Sequence, residues 1–386
     1  MITGLSALET TDWSRLLHAY GRATDAPGHL RALVEGDEAS RDAALTYLDS
    51  AILHQGTPWT ATGPVTCVLA GLLAEPRLDS GGPRLRMHVL AFLSGVAQAV
   101  GDHWASRQEQ ERLARYDLAP LLDAGDDEAL YQDEEAANAL YAKAFLGCAE
   151  AVPLLVEPVL ASLDHPDSGV RAQAATTAAW LARVPEAFGD AQREVLALRL
   201  TALAQATPNT DERSTLVLML GELGVAPSAF LEDASPAVRV CAAMAKGLET
   251  NEAATRELLQ ALEHHAAQMD DWFKERPPPF EMRPRFYVLE CLLERVKDFD
   301  RLLPAAVTVA RVTTKYCVDR EWGPLLAAAF PAGDGQVRTD AQRRFLSELV
   351  ANADLWDPTF GNPGQWFRKA GLTYQRSACA ERLSGP

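Results

Sequence analysis

The sequence predicts an all-α protein, a right-handed α-solenoid of about seven to nine helix pairs ending in an atypical C-terminal cap. Three observations carry this expectation. Ala/Leu-rich segments of roughly 12–18 residues show apolar positions at helical spacing, with short Pro, Gly or Asp turns between them. Alternating β-branched runs bounded by hairpin signals are missing. One turn-plus-helix pattern also returns at about the 40–47-residue period of two-helix repeats.

That pattern is clearest at Ser162-Leu163-Asp164-His165-Pro166-Asp167-Ser168-Gly169-Val170-Arg171. The spacing ends one helix near Leu163 and caps the next in the His-Pro-Asp-Ser turn. It places Val170, Ala174, Ala178 and Leu181 on one face, small enough for a neighbouring helix to approach closely. The pattern returns at Ser235-Pro236-Ala237-Val238-Arg239, and more loosely from Ser40, Pro83, Asp211 and Pro284. Arg41, Arg86, Arg171, Arg213, Arg239 and Arg285 mark the copies, with gaps of 45, 42 and 46 residues among them. The 85-residue gap holds a further unit beginning at Glu134, and the 26-residue gap is a shortened one.

These residues resemble the HEAT family, whose second helix commonly opens with a turn, Asp or Pro, then Val-Arg and small residues. The likeness is closest at 162–184 and 230–249. The stretch Ala51–Thr62 is similar to a segment of bacterial HEAT-repeat proteins, and together the matches cover residues 12–300. The resemblance implies an armadillo-like array over 1–300 that serves as a protein-binding scaffold. Residues 301–386, with Trp356, Trp366 and several Gly-Pro turns, depart from the pattern. They are expected to form a divergent helical cap that hides the terminal apolar face.

Two places break the rhythm. The segment 118–135 carries Asp123, Asp126, Asp127, Glu128, Asp133, Glu134 and Glu135 with no Lys or Arg. It reads as an acidic insertion running into a helix start, where acids suit the dipole. The segment around 270–284 contains Pro277-Pro278-Pro279, which cannot continue a helix and reads as a rigid extended loop.

Charge narrows the function. The 386 residues hold 53 acidic and 36 basic side chains, a net charge of −17. Phosphate backbones are gripped by Lys and Arg, so nucleic acid is disfavoured without a segregated basic face. A basic protein is favoured by long-range attraction, although acidity also simply confers solubility. The N-terminus lacks a basic and apolar leader, and no apolar run approaches the roughly 20 residues that span a bilayer. The six cysteines stand at wide spacings without Cys-x-x-Cys, as expected of reduced core residues in a cytoplasmic protein.

Candidate sites follow. His54, Gln55, Thr57 and Trp59 surround Gly56 and Pro58, which are expected to end one helix and start the next and so to place these side chains on a loop rim. The alternative is local, with His54 and Gln55 satisfying loop backbone while Trp59 packs beneath. Asp126, Asp127, Glu128, Glu134 and Glu135 form a second candidate patch for a basic partner, or else a solvated loop. Asp123–Glu134 fails the calcium-loop spacing at Gly125 and Glu128. His264-His265 point about 100° apart on a helix and are poorly placed to chelate together. No metal, cofactor or catalytic residue is assigned, because no zinc, phosphate-loop, dinucleotide or nucleophile-elbow motif occurs.

The expected function is a non-catalytic scaffold that binds another macromolecule, foremost a protein and a basic one by charge, as a regulator or immunity-type inhibitor. The alternative is an enzyme. Alkylpurine DNA glycosylases have HEAT-like repeats, and Asp271-Trp272 with Arg276, Arg283 and Arg285 superficially looks like their set. A small-molecule pocket near Trp59 or Trp272 is the other enzymatic form.

Overall fold

Helix starts are written into the sequence as side-chain caps. Asp37, Asp133, Asp167, Asn209, Asn251 and Asp298 each accept a hydrogen bond from a backbone N–H two or three residues on. Thr339 and Gln342 complete a reciprocal capping box. The result, in a computed structural model that describes residues 1–80, 82–125 and 129–384, is all-helical.

Contacts divide the chain into two compact units, Met1–Leu203 and Ala204–Pro386. The first holds α1 (Gly4–Thr10), α2 (Ala26–Glu35), α3 (Glu38–Tyr47), α4 (Thr62–Leu72), α5 (Arg84–His103), α6 (Arg107–Leu113), α7 (Ala119–Ala124), α8 (Ala129–Gln132), α9 (Glu134–Ala151), α10 (Val156–Ser162) and α11 (Ser168–Leu181). The division falls inside α12 (Asp190–Ala206). The second unit holds α13 (Thr210–Glu222), α14 (Pro236–Ala243), α15 (Glu252–His265), α16 (Pro284–Arg295), α17 (Phe299–Val312), α18 (Trp322–Ala329), α19 (Asp340–Ala351), α20 (Asn362–Lys369) and α21 (Arg376–Ser384).

In the N-terminal unit, α5 packs on α11 and α4 on α9. Val170, Ala174, Ala178 and Leu181 of α11 are fully buried, as their spacing requires. The Thr177 hydroxyl donates to Leu90 O at 3.0 Å and ties α11 to α5. Glycine brings α4 against α9, since a Cβ on Gly63 would lie 2.6 Å from the Gly147 carbonyl. One feature differs from the sequence expectation of helices alone. Leu17–His18 and Gly21–Arg22 form a two-residue antiparallel pair, closed by Gly21 at φ 128°.

The stretch Glu134–Ser162 also differs, for it is long and apolar enough to cross a membrane by length and composition. Of its most apolar window 44% is buried inside the protein, where α9 meets α4 and α6.

In the C-terminal unit a core cluster runs from Val240 to Cys379, so residues 301–386 share it with the helices before residue 300. The triple proline differs from the expected extended loop. Phe280 N–H donates to Pro277 O at 2.9 Å, closing a turn, and Asp211 Oδ2 accepts the N–H groups of Lys274 and Glu275.

The marker arginines share one device. Each lies near the start of its helix, and five of them turn back on carbonyls of the segment just before it. Arg86 donates to Leu73 O at 2.6 Å and forks onto Asp79. Arg171 donates to His165 O and Pro166 O, both at 2.8 Å. Arg213 donates to Thr207 O at 2.6 Å and pairs with Asp233. Arg239 donates to Asp233 O at 3.0 Å and pairs with Glu257. Arg285 donates to Ala266 O at 3.2 Å and pairs with Glu321. Arg41 reaches forward, to Ser80 O at 2.8 Å. A guanidinium has enough donors to satisfy helix-end carbonyls and a carboxylate together, which an ammonium point charge does less well.

Candidate recognition site around Trp59

The rim is built from an irregular helix end. After Tyr47 the chain passes into a π-helical turn, Leu48–Ile52, whose wider pitch is seen in Leu53 N–H donating to Leu48 O at 3.0 Å. A 3₁₀ turn, His54–Gly56, follows. Gln55 sits at φ 50°, the one left-handed non-glycine among the described residues, and Gly56 follows at φ 77°. Such a conformation costs about 1–2 kcal/mol for a residue with a Cβ.

The sequence expectation placed the next helix start at Pro58; it comes at Thr62 instead. The reason is the Thr62 hydroxyl, which accepts from Trp59 N–H at 2.8 Å and donates to Ile52 O at 2.6 Å. Gln55 and Thr57 are exposed, and His54 and Trp59 are half-buried. His54 Nδ1 bonds to Ser50 O at 2.9 Å.

The two-residue strands supply neighbours that sequence reasoning missed. Leu17 O accepts from Ala61 N–H at 3.0 Å, and Ala19 N–H donates to Ala51 O at 3.0 Å. This brings the exposed Tyr20 edge-on to His54, with 5.7 Å between rings. Buried His18 accepts Tyr20 N–H on Nδ1 at 3.0 Å, and its Nε2 meets Asp25 Oδ1 at 3.2 Å. Asp25 Oδ1 also accepts from the Tyr47 hydroxyl at 2.8 Å, and His29 stacks on Tyr47 at 4.2 Å. Burial, then the Asp25 carboxylate, pushes the Tyr47 hydroxyl well above its ordinary pKa, so it remains a hydrogen-bond donor. With both His18 nitrogens engaged, this network braces the rim and presents no free base.

Two tyrosines from the stretch that carries the second candidate patch reach the first. Trp59 lies edge-on to Tyr131 (6.4 Å, 69°) and tilted against Tyr141 (5.8 Å, 53°). Tyr131 is on α8 inside the acidic segment, and Tyr141 is two turns along α9 from Glu134. Glu134 and Glu135 are exposed in the first turn of α9. Asp133 caps that helix, and the backbone N–H of Ala136 and the Tyr116 hydroxyl hold its carboxyl below the usual range. Asp123 pairs with Arg15 at 2.9 Å. Asp126, Asp127 and Glu128 lie outside the described residues. Tyr131 and Tyr141 could have been singled out as the aromatics within an otherwise acidic and alanine-rich stretch.

The Trp272 region is built differently. Trp272 packs on the core of its unit, edge-on to His265 at 5.7 Å. Arg285 is buried against Glu321 and cannot reach a phosphate. The His264 and His265 rings stand 80° apart, and among the described residues no three His, Cys, Asp or Glu side chains converge as a metal-binding set. A groove of about 620 Å³ lined by Glu222, Tyr287, Cys291 and Glu294 includes neither Trp272 nor Trp59. Burial pushes the Cys241 thiol up to about 12 and that of Cys291 to about 11, which makes them poor nucleophiles.

No protein-family model matches the chain, and no curated protein matches its sequence.

Proposed function

We propose that this protein is a non-catalytic scaffold of HEAT-like helix pairs in a right-handed solenoid, cytoplasmic in a bacterium, that binds a basic protein as a regulator or immunity-type inhibitor. The observation that carries the reading is the contact of Trp59 with Tyr131 and Tyr141. It brings the loop that carries Trp59 beside two tyrosines that bracket Glu134 and Glu135 in sequence, which supports reading them together. Half-exposed Trp and Tyr are the residue types that anchor protein interfaces. Flanking carboxylates speed encounter with a basic partner and reject acidic ones. The repeat part is supported by the arginine device, which recurs at the starts of α5, α11, α13, α14 and α16. Six unpaired thiols suit a reducing compartment.

The test is capture from native lysate at low and moderate salt, with wild type beside a variant in which Asp126, Asp127, Glu128, Glu134 and Glu135 are neutralised to amides. A stoichiometric basic protein, weakened by salt and lost in the variant, is the expected result. Capture that is unchanged by the variant and by salt would overturn the electrostatic reading.

A further inference from the structure

The tryptophans of the N-terminal unit follow a rule that Trp59 breaks. Trp13 is buried, with its indole N–H donating to Leu8 O. Trp104 and Trp180 are half-buried, and each carries a guanidinium over its ring: Arg107 at 4.8 Å and Arg183 at 4.7 Å. In both cases the cation comes from three residues further along the chain. In the other unit Trp366 repeats the device, with Lys369 at 5.4 Å, while half-buried Trp272 and Trp356 meet the His265 and Tyr374 rings instead. Guanidinium over indole is favourable because the flat cation meets the negative face of the ring while keeping its edge hydrated.

Trp59 is half-buried like Trp104 and Trp180, but the residue three positions on is Thr62, committed to Trp59 N–H and Ile52 O. Among the described residues no cation lies over its ring, and none of the remaining positions is Lys or Arg. The segment that flanks it carries no cation of its own, and the arginines that reach it, Arg15 and Arg22, are held on Asp123 and Leu122 O. From Tyr116 to Ala142 there are eight acidic residues and no basic one. Tyr131 and Tyr141, 45% and 43% exposed, add two more ring faces beside the indole.

We infer that Trp59, with Tyr131 and Tyr141, is the receptor for an arginine side chain of the partner, which supplies the guanidinium that Arg107 and Arg183 supply to their own tryptophans. This rests on the proposed binding of a basic protein and names the partner group that its aromatic part takes. The rings provide the cation–π face, and exposed Glu134 and Glu135, on the helix that carries Tyr141, add negative potential.

The probe is a tetra-arginine peptide, with tetra-citrulline as its uncharged isostere, titrated into the full chain at low salt. The readout is the indole N–H resonance of Trp59, assigned by its loss in Trp59→Phe. Tetra-arginine should move this resonance and tetra-citrulline should not, and Trp59→Phe should lower affinity at least fivefold. If Trp59→Phe does not fold, the wild-type resonance is assigned instead through its cross-peaks to the Tyr131 and Tyr141 rings, and its movement decides. Movement of other acidic-face signals with Trp59 unmoved would overturn the inference and leave the basic-partner reading standing. Equal movement by tetra-citrulline would overturn the inference as well. No peptide binding on this face would overturn both.

Discussion

Arg285 and Glu321, 36 residues apart, form an ion pair inside the core of the C-terminal unit, with 4% and 1% of their side chains exposed. The Thr313 hydroxyl donates to the same carboxylate, and Arg285 also reaches Ala266 O. Breaking a buried pair from one side leaves a charge without compensation. Arg285→Met should therefore destabilise this unit by ~3–5 kcal/mol. Arg285→Met with Glu321→Gln should recover a large part of that, since no bare carboxylate remains. Urea unfolding of the three proteins checks this, and a double variant no better than the single would contradict it.

Gly63 faces the Gly147 backbone where α4 crosses α9, and the tolerance of the two glycines differs. A Cβ on Gly63 would meet the Gly147 carbonyl at 2.6 Å, whereas one on Gly147 meets nothing within 4 Å. Gly63→Ala should cost ~1–3 kcal/mol by pushing the helices apart. Gly147→Ala should be neutral or stabilising by up to ~1 kcal/mol, through helix propensity. Because this crossing holds Trp59 against Tyr141, Gly63→Ala should also change the tryptophan fluorescence, and Gly147→Ala should not. Thermal unfolding and emission spectra of both variants test the asymmetry.

Helix identity was legible because it depends on local chemistry: the Asp167 cap and the stripe from Val170 to Leu181 are read directly from spacing. The marker arginines were legible as a period, but the carbonyls they hold depend on how each preceding helix ends. His54 and Trp59 were legible as a loop feature through Gly56 and Pro58. Their neighbours were not. Tyr20 reaches His54 through a two-residue strand pair too short to leave an alternating pattern. Tyr141 reaches Trp59 through a glycine crossing, and only packing decides which helices cross. The π turn and the left-handed Gln55 carry no composition signal, since Gln is not a residue that prefers such a backbone.

Asp79 links stability to pH. The forked hydrogen bonds from Arg86 hold its carboxyl below the ordinary value of 3.8. A depressed folded-state pKa contributes stability that is fully present above the unfolded value and is lost as pH falls through the folded one. Arg86→Met removes the fork, returns Asp79 toward its ordinary value and strands Leu73 O. Wild type should therefore exceed the variant by ~2–3 kcal/mol near neutrality. That margin should stay flat down to about pH 5 and narrow below it. Denaturant titrations between about pH 6 and pH 3 provide the check, and a margin that widens toward acid would refute the assignment.

Gln55 separates stability from recognition. Its φ of 50° in the rim turn is costly for a residue with a Cβ and free for glycine. Gln55→Gly should thus stabilise the protein, by about 1 kcal/mol after allowing for the added flexibility of the unfolded chain. If the strained turn is kept because Gln55 contacts a partner, the same change should weaken capture while raising the unfolding temperature. This opposition identifies strain retained for function. Calorimetry and partner capture on the one variant give both readouts. Greater stability with undiminished capture would show that Gln55 serves neither the loop's stability nor recognition, and leave Trp59 and its tyrosines as the proposed recognition element.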